Sequence, residues 1–161
     1  MSGDTPQELA ARLWQEAYQH QMNKELDEAV ELYQRSIAAY PTAEAYTFLG
    51  WTYSWMGRID AAIEQCRKAI EVDPAFGNPY NDIGSYLMMK GKSDEAIPWF
   101  ERALQAPRYQ SYCFPHMNLA RVFESKRDWL RAKDEYHKAL AENKDYTPAA
   151  QGLARIRGYL N

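Results

Sequence analysis

The clearest structural pattern in the chain runs from Tyr46 to Pro74, YTFLGWTYSWMGRIDAAIEQCRKAIEVDP. Large apolar side chains recur every three or four residues before Gly57, and beyond it Ala62 is followed four residues later by Cys66. Apolar positions at this spacing predict amphipathic helices, and a glycine between two such segments predicts the end of one helix and a turn into the next. The stretch therefore predicts two helices that pack against each other.

The second half of this arrangement returns along the chain at a nearly constant interval. A small alanine precedes a larger side chain by four residues in the pairs Ala29 and Tyr33, Ala62 and Cys66, Ala96 and Phe100, and Ala132 and Tyr136. The intervals between these alanines are 33, 34 and 36 residues. Self-similarity at this period predicts a stack of helix pairs, in which each pair buries its apolar face against its neighbours.

The repeat resembles that of the tetratricopeptide repeat (TPR) family, W-x2-L-G-x2-Y, then A-x3-F, then P. The second copy matches at Tyr46, Leu49, Gly50, Tyr53, Ala62, Cys66 and Pro74, and the third at Tyr80, Ile83, Gly84, Leu87, Ala96 and Phe100, with Pro107 one residue early. The fourth copy is weaker, and the first is clear only in its second helix, at Ala29, Tyr33 and Pro41. The resemblance implies an all-α, right-handed α-solenoid of about four helix-turn-helix repeats in a single domain over 1–161. The repeats are expected at about 6–42, 43–76, 77–112 and 113–146, with a capping helix at 147–161.

Local signals predict where the helices begin and end. We expect helices at about 6–22, 26–39, 43–56, 59–72, 78–90, 94–106, 114–126, 129–142 and 148–160. Thr5 followed by Pro6 and Glu8 predicts a capped helix start, and Asn78 and Thr147, each before a proline, predict two more N-caps. Gly57 and Gly91 are predicted to end the first helices of the second and third repeats.

Composition and charge narrow the range of functions that the chain is expected to have. The formal net charge of −3 argues against a nucleic-acid partner, which would need a basic face. The apolar stretches are too short for membrane insertion, and the start at Met1 lacks the basic and apolar regions of a secretory signal. The two cysteines, Cys66 and Cys113, fall in different repeats and do not suggest a disulfide framework. These features predict a cytoplasmic protein.

Nothing in the sequence predicts catalysis. The three histidines, His20, His116 and His137, lie in different predicted helices without the spacing of a metal site. Cys66 is expected to be an inert core thiol, whereas Cys113 is expected to be more exposed, with no paired histidine to activate it. We therefore expect no enzyme activity, no catalytic residue, no metal and no cofactor.

The resemblance also implies a binding surface, because the first helix of each TPR pair lines the concave face. Helical spacing then selects the residues opposite the core positions. The predicted partner-binding groove comprises Trp14, Tyr18, Phe48, Trp51, Trp55, Asn81, Asp82, Ser85, Met88, Met89, Phe114, Met117, Asn118 and Arg121, with Gln15, Met22 and Thr47 beside them. Aromatic and methionine side chains are typical of binding hot spots and adaptable grooves. We expect an adaptor or chaperone-like module that binds a peptide or helix of a protein partner, with Trp51 and Trp55 near the centre. The alternative is that the solenoid itself buries some of these aromatics, Trp14 and Tyr18 above all.

The connection between the third and fourth repeats, residues 106–115, is longer than the others and rich in aromatics. One interpretation is that its tyrosines pack on the edge of the solenoid. The other is that it forms a second contact surface.

Some relatives suggest narrower functions. TPR co-chaperones that hold acidic C-terminal tails use a clamp of Lys, Arg and Asn, but here the matching places hold Trp14, Tyr18, Phe48, Asn78 and Asp82, so that activity is not expected. The chain also resembles small repeat proteins that assemble type IV pili and the chaperones of secretion systems, by analogy alone. A self-assembling scaffold is a further alternative, although a monomer is expected because the last helix caps one end.

Overall fold

A computed structural model describes residues 3–160, and in that range the chain forms nine α-helices and a closing 3₁₀ turn. The helices are α1 (Pro6–Met22), α2 (Leu26–Ala39), α3 (Ala43–Trp55), α4 (Ile59–Val72), α5 (Asn78–Met89), α6 (Ser93–Gln105), α7 (Cys113–Ser125), α8 (Trp129–Glu142) and α9 (Thr147–Ile156). The predicted all-α class is confirmed. The predicted start without a secretory signal includes Met1, and the predicted capping helix ends at Asn161. Both residues lie outside the described residues.

The start of α1 follows its sequence signal. The Glu8 amide donates a hydrogen bond to Thr5 Oγ1 at 3.2 Å, and the Thr5 amide donates one to Glu8 Oε2 at 2.7 Å. These bonds satisfy two donors that the first helical turn would otherwise leave free. The predicted capping box is therefore confirmed.

The other two predicted N-caps are wrong by one residue. Asn78 and Thr147 are the first residues of α5 and α9, and the residues that precede them form no side-chain hydrogen bond to the helix start. A proline is accommodated throughout the first helical turn, because the amide it lacks has no partner there. Proline alone therefore does not fix which preceding residue is the cap.

The turns inside the helix pairs require a left-handed backbone. Gly57 and Gly91, at φ of 76° and 75°, confirm the predicted helix ends. Lys24 and Arg127 occupy the corresponding turns of the first and fourth pairs at φ of 66° and 58°. Since side chains disfavour this region, the first and fourth pairs carry strain that the glycine-containing pairs avoid.

The helices stack in chain order, each packing on the one before it. The odd-numbered helices also contact one another along the stack, from α1 through α3, α5 and α7 to α9, whereas the even-numbered helices lie further apart. In a curved stack, the helices on the inner side lie closer to one another than those on the outer side. The odd helices therefore line the concave face.

Small residues let the paired helices approach closely. A Cβ added to Gly50 would lie 2.9 Å from the Ala62 carbonyl oxygen, and one added to Gly84 would lie 2.4 Å from the Phe100 ring. The four repeat alanines and the four larger residues that follow them, Tyr33, Cys66, Phe100 and Tyr136, are fully buried. The predicted repeat positions thus form the core.

The last helix is built like the first helix of another repeat. A Cβ on Gly152 would meet the Tyr136 ring at 2.4 Å, which is the contact that Gly84 makes in the third repeat. Ile156 is buried, and Arg155 donates two hydrogen bonds to the Glu124 carboxylate at 2.6 and 2.8 Å. The helix ends at Ile156, earlier than predicted, and the 3₁₀ turn Arg157–Tyr159 follows. Its fit to α8 and α7 agrees with a covering role over the fourth pair.

Candidate functional site

Aromatic rings form a continuous row on the concave face of the first two repeats. Trp14 stacks on Tyr18, with ring centroids 5.7 Å apart, and meets Phe48 edge-on at 5.0 Å. Phe48 in turn meets Trp51 at 5.5 Å, and Trp51 meets Trp55 at 5.0 Å. Edge-to-face and offset contacts at these distances are favourable, so the rings hold one another in place. We call these five residues the aromatic row.

The ends of the aromatic row are not equally open. At one end the Lys24 ammonium lies 3.5 Å from the centre of the Trp55 ring, a cation–π contact within the chain. At the other end the indole nitrogen of Trp14 is buried without a hydrogen-bond acceptor, whereas Tyr18 is exposed. The chain itself therefore covers part of the Trp14 side chain, as one of the two interpretations of this residue expects. Trp51 lies between these ends.

A cavity of about 190 Å³ opens beside Trp51 on the concave face. It is lined by Thr47, Phe48 and Trp51 of α3, Asn78, Asn81 and Asp82 of α5, Tyr109 and Ser111 of the long connection, and Phe114 of α7. Three odd-numbered helices and the connection thus meet at one place. We call it the central cavity.

Asp82 is the only carboxylate among the residues that line the central cavity. Within residues 3–160 no side chain donates a hydrogen bond to it, and burial raises the pKa of its carboxyl to about 7. The Asp82 charge also raises the pKa of Tyr109, after the larger effect of that tyrosine's own burial. A carboxylate in this setting is unfavourable unless a positive group or a donor joins it.

The neutral polar groups next to Asp82 bind one another. The Asn118 side-chain amide of α7 donates hydrogen bonds to Asn81 Oδ1 at 3.1 Å and to Ser85 Oγ at 3.2 Å, both on α5. These bonds join the two helices across the concave face. The Asn118 oxygen and the Asn81 amide group remain without a side-chain partner in the described part of the chain, so they are available to a ligand.

The predicted groove residues divide into those at the cavity and those elsewhere. Phe48, Trp51, Asn81, Asp82 and Phe114 line the central cavity; Trp14, Tyr18 and Trp55 continue the aromatic row; Ser85 and Asn118 bridge α5 and α7; Met88 is half-buried against the core; Met89 and Arg121 are exposed. The prediction that Met117 faces the groove is wrong. Its side chain is 3% exposed because that side of α7 packs into the core.

The long connection is held against the preceding loop. The Gly77 amide donates a hydrogen bond to the Arg108 carbonyl at 3.1 Å, and the Arg108 amide donates one to the Ala75 carbonyl at 3.0 Å. A Cβ on Gly77 would lie 2.4 Å from Cβ of Tyr109, which is 7% exposed. The packing interpretation of this segment is confirmed for Tyr109.

Tyr109 and Ser111 were absent from the predicted site. The aromatic character of residues 106–115 was the available signal, but local sequence alone does not place a loop beside α3 and α5. Through these two residues the connection supplies a wall of the central cavity.

Sequence profiles of known families match this chain at three places. Each profile describes a tetratricopeptide repeat, and the matches cover residues 13–43, 43–76 and 78–109. The chain belongs to the TPR family. The fourth helix pair, α7 and α8, follows these ranges and repeats the same packing.

Curated relatives share the repeat over part of their length. Small glutamine-rich tetratricopeptide repeat-containing protein 2 of Mycosarcoma maydis is 28% identical over 83 residues, which are 51% of this chain and 24% of that protein. The TPR chain thus spans about a quarter of that relative's length.

Solved structures match the fold over nearly the whole chain. PilF of Pseudomonas aeruginosa superposes with a TM-score of 0.85 at 20% identity, covering 98% of this chain and 73% of that one. PilW, described as a widely conserved type IV pilus biogenesis factor, gives a TM-score of 0.84 at 20% identity, covering 93% and 69%. At this identity the likeness shows the fold alone.

Outside the cavity of this TPR protein, two of the histidines are paired with carboxylates and both cysteines are buried. His116 Nδ1 lies 2.7 Å from Glu135 Oε2, in line with a packing role. Burial raises the pKa of both thiols, and Cys113 is the first residue of α7 and is buried, so the expectation of an exposed loop cysteine is wrong. Between residues 3 and 160 no three His, Cys, Asp or Glu side chains are grouped to hold a metal ion.

No helix in the described range is both long and apolar enough to span a bilayer. The TPR is a non-catalytic interaction module, and TPR proteins bind protein partners. This chain is accordingly a protein–protein interaction scaffold.

Proposed function

We propose that this TPR protein is an adaptor or chaperone-like module that binds a segment of a partner protein along its concave face, with Trp51 at the centre of the contact. The observation that carries the proposal is the aromatic row leading into the central cavity. Aromatic side chains beside a concave, mostly apolar cavity with a few polar groups are typical of binding sites.

The polar groups of the site suit a peptide. Asn81 keeps its side-chain N–H donors and Asn118 its side-chain oxygen free for a main chain, while their mutual hydrogen bond fixes their orientation. The row supplies apolar contact on one side of these groups. The occupant we propose is therefore a segment of a protein in a cytoplasmic setting.

Photo-crosslinking tests this proposal directly. The photoreactive residue p-benzoylphenylalanine would replace Phe114, which is 43% exposed at the cavity, or Tyr159, which is 62% exposed at the C-terminal end. Both changes keep an aromatic ring, so the Tyr159 variant is a matched control. In a lysate of the source cell, we expect a crosslinked protein from position 114 and not from position 159. The same partner crosslinked from position 159 alone would contradict the proposal.

Self-association is the second candidate, and one surface favours it. Leu130 and Tyr159 are exposed at the C-terminal end, where Trp129 stacks on Tyr159 with ring centroids 4.3 Å apart. Apolar ends of repeat stacks can associate head to tail. Crosslinking of the purified protein to itself from position 159, with a sedimentation coefficient that rises with concentration, would favour this function. A role in pilus or secretion-system assembly stays a hypothesis, because the likeness to PilF and PilW concerns the fold.

A further inference from the structure

The central cavity holds a negative charge that the chain itself does not neutralise. Asp82 has no hydrogen-bond donor in the described range, and no basic residue lines the cavity. Lys24 lies over Trp55, and no basic side chain in the described range forms an ion pair or a hydrogen bond with Asp82. A bound ligand can therefore supply the missing counter-charge.

We propose that the central cavity receives a positively charged side chain of the bound segment, a lysine or an arginine, which pairs with Asp82 between the rings of Phe48, Trp51 and Phe114. This inference rests on the proposed function and adds the chemistry of the ligand. It also assigns Asp82 as the residue that selects the ligand by charge.

The walls of the cavity suit a cation better than an anion or a neutral group. Rings attract a cation over their faces, and the attraction strengthens where water is displaced. The chain shows the same preference at Trp55, which Lys24 covers. An acidic side chain would be repelled by Asp82, and an apolar one would leave the carboxylate without a partner.

The size of the cavity agrees with one inserted side chain. Its volume is about 190 Å³, whereas a water molecule takes about 30 Å³ of the liquid. Ser111 and Asn78 lie at the same cavity and offer oxygen atoms to the N–H groups of a lysine or arginine. The site thus combines an anion, acceptors and aromatic faces.

Binding of the cation should depend on pH. The groups that respond to the Asp82 charge are Cys66 of α4, Tyr86 of α5 and Tyr109 of the connection, and burial raises the pKa of all three. They therefore stay neutral from acid to mildly alkaline pH. Of these four groups, Asp82 is the one that titrates in this range, since the pKa of its carboxyl is about 7. The cation should bind above this pKa and be released below it.

The test uses Nα-acetyl-lysine amide as the probe and Nα-acetyl-norleucine amide as the uncharged control of the same length. Binding is followed at about pH 8 by NMR, from the indole N–H signal of Trp51. We expect saturable binding of the lysine probe with a Kd on the order of millimolar, and binding of the norleucine probe at least about tenfold weaker. Equal binding of the two probes, or no saturable shift with the lysine probe, would overturn the proposal.

A matched pair of variants locates the charge. Asp82→Asn keeps the shape of the side chain and should weaken the lysine probe about tenfold, whereas Asp94→Asn, an exposed carboxylate on α6 paired with Lys126, should leave its Kd unchanged. Lowering the pH to about 5.5, below the Asp82 pKa of about 7, should weaken binding to the wild type as Asp82→Asn does. Equal weakening of lysine binding in both variants would contradict a charge effect located at Asp82.

Crosslinking from position 114 together with no binding of the lysine probe would refute this inference and leave the proposed function standing.

Discussion

At Gly84 the two helices of the third repeat lie so close together that an added methyl group would be 2.4 Å from the Phe100 ring. The repeat spacing predicted that Gly84, Ala96 and Phe100 belong to one packed pair of helices, and the structure adds the contact between Gly84 and the ring. It did not predict the polar contacts in the first repeat, where the buried Tyr33 hydroxyl donates a hydrogen bond to Gln21 Oε1 at 2.8 Å. Nothing in the repeat pattern requires a glutamine at that place.

Replacing Gly84 by alanine should destabilise the protein. The added methyl group must displace the buried ring of Phe100, and overpacking of this kind costs about 1–3 kcal/mol. The free energy of unfolding, measured by urea denaturation, should fall by that amount. Gly158→Ala is the control, since a Cβ there meets nothing within 4 Å. An equal loss in both variants would show that the close approach is not the cause.

Asp82→Asn should stabilise the protein at alkaline pH. Folding raises the pKa of Asp82 from 3.8 to about 7, so the native state binds more protons than the unfolded state between these values. Its contribution to stability is therefore complete below about pH 4 and is lost as the pH rises through 7. At about pH 8 the variant should unfold with a free energy about 1–3 kcal/mol higher than the wild type, because an unpaired charge has been removed.

The pH dependence distinguishes this cause from a change in packing. Thermal denaturation of the two proteins should show a gap that narrows steadily as the pH falls from about 8 to about 4. A gap that stays constant over this range would mean that the Asp82 carboxylate is not ionised and unpaired in the native protein.

At the scale of elements, helix positions followed from periodicity, whereas loop packing did not. Helical spacing and the glycines of the turns placed α1 to α8 to within a residue at each end, because each segment carries its own signal. The 106–112 part of the connection depends instead on contacts with residues far away in the chain. Arg108 pairs with Asp73 and with Glu44, at 2.9 and 2.8 Å, and neither distance follows from local sequence.

Tyr109 should contribute more to stability than Arg108. Truncation of a buried aromatic side chain costs about 3 kcal/mol or more. Arg108 is half exposed, and surface ion pairs contribute about 1 kcal/mol or less. Comparison of Tyr109→Ala with Arg108→Ala by chemical denaturation checks this order. A larger loss from Arg108→Ala would mean that charge, not the tyrosine, holds the connection in place.

For the whole molecule, the curvature of the stack brings the candidate site together. Phe48, Asp82 and Phe114 are separated by 34 and 32 residues in sequence, yet they line one cavity because the odd helices are neighbours on the concave face. The resemblance to the TPR family implied which helices face inward. It could not predict that Met117 turns into the core or that Lys24 covers Trp55, since both depend on how neighbouring side chains fill the available space.

The affinity of the crosslinked partner for two tryptophan variants shows whether the partner binds on the concave face. Trp51→Ala removes a ring that belongs both to the aromatic row and to the wall of the central cavity, and Trp129→Ala makes the same chemical change at the turn between α7 and α8. Circular dichroism first confirms that both variants fold. Calorimetry should then show that Trp51→Ala loses about 2 kcal/mol, or roughly 30-fold in Kd, while Trp129→Ala binds like the wild type. Unchanged binding by Trp51→Ala with a loss in Trp129→Ala would contradict a partner site on the concave face.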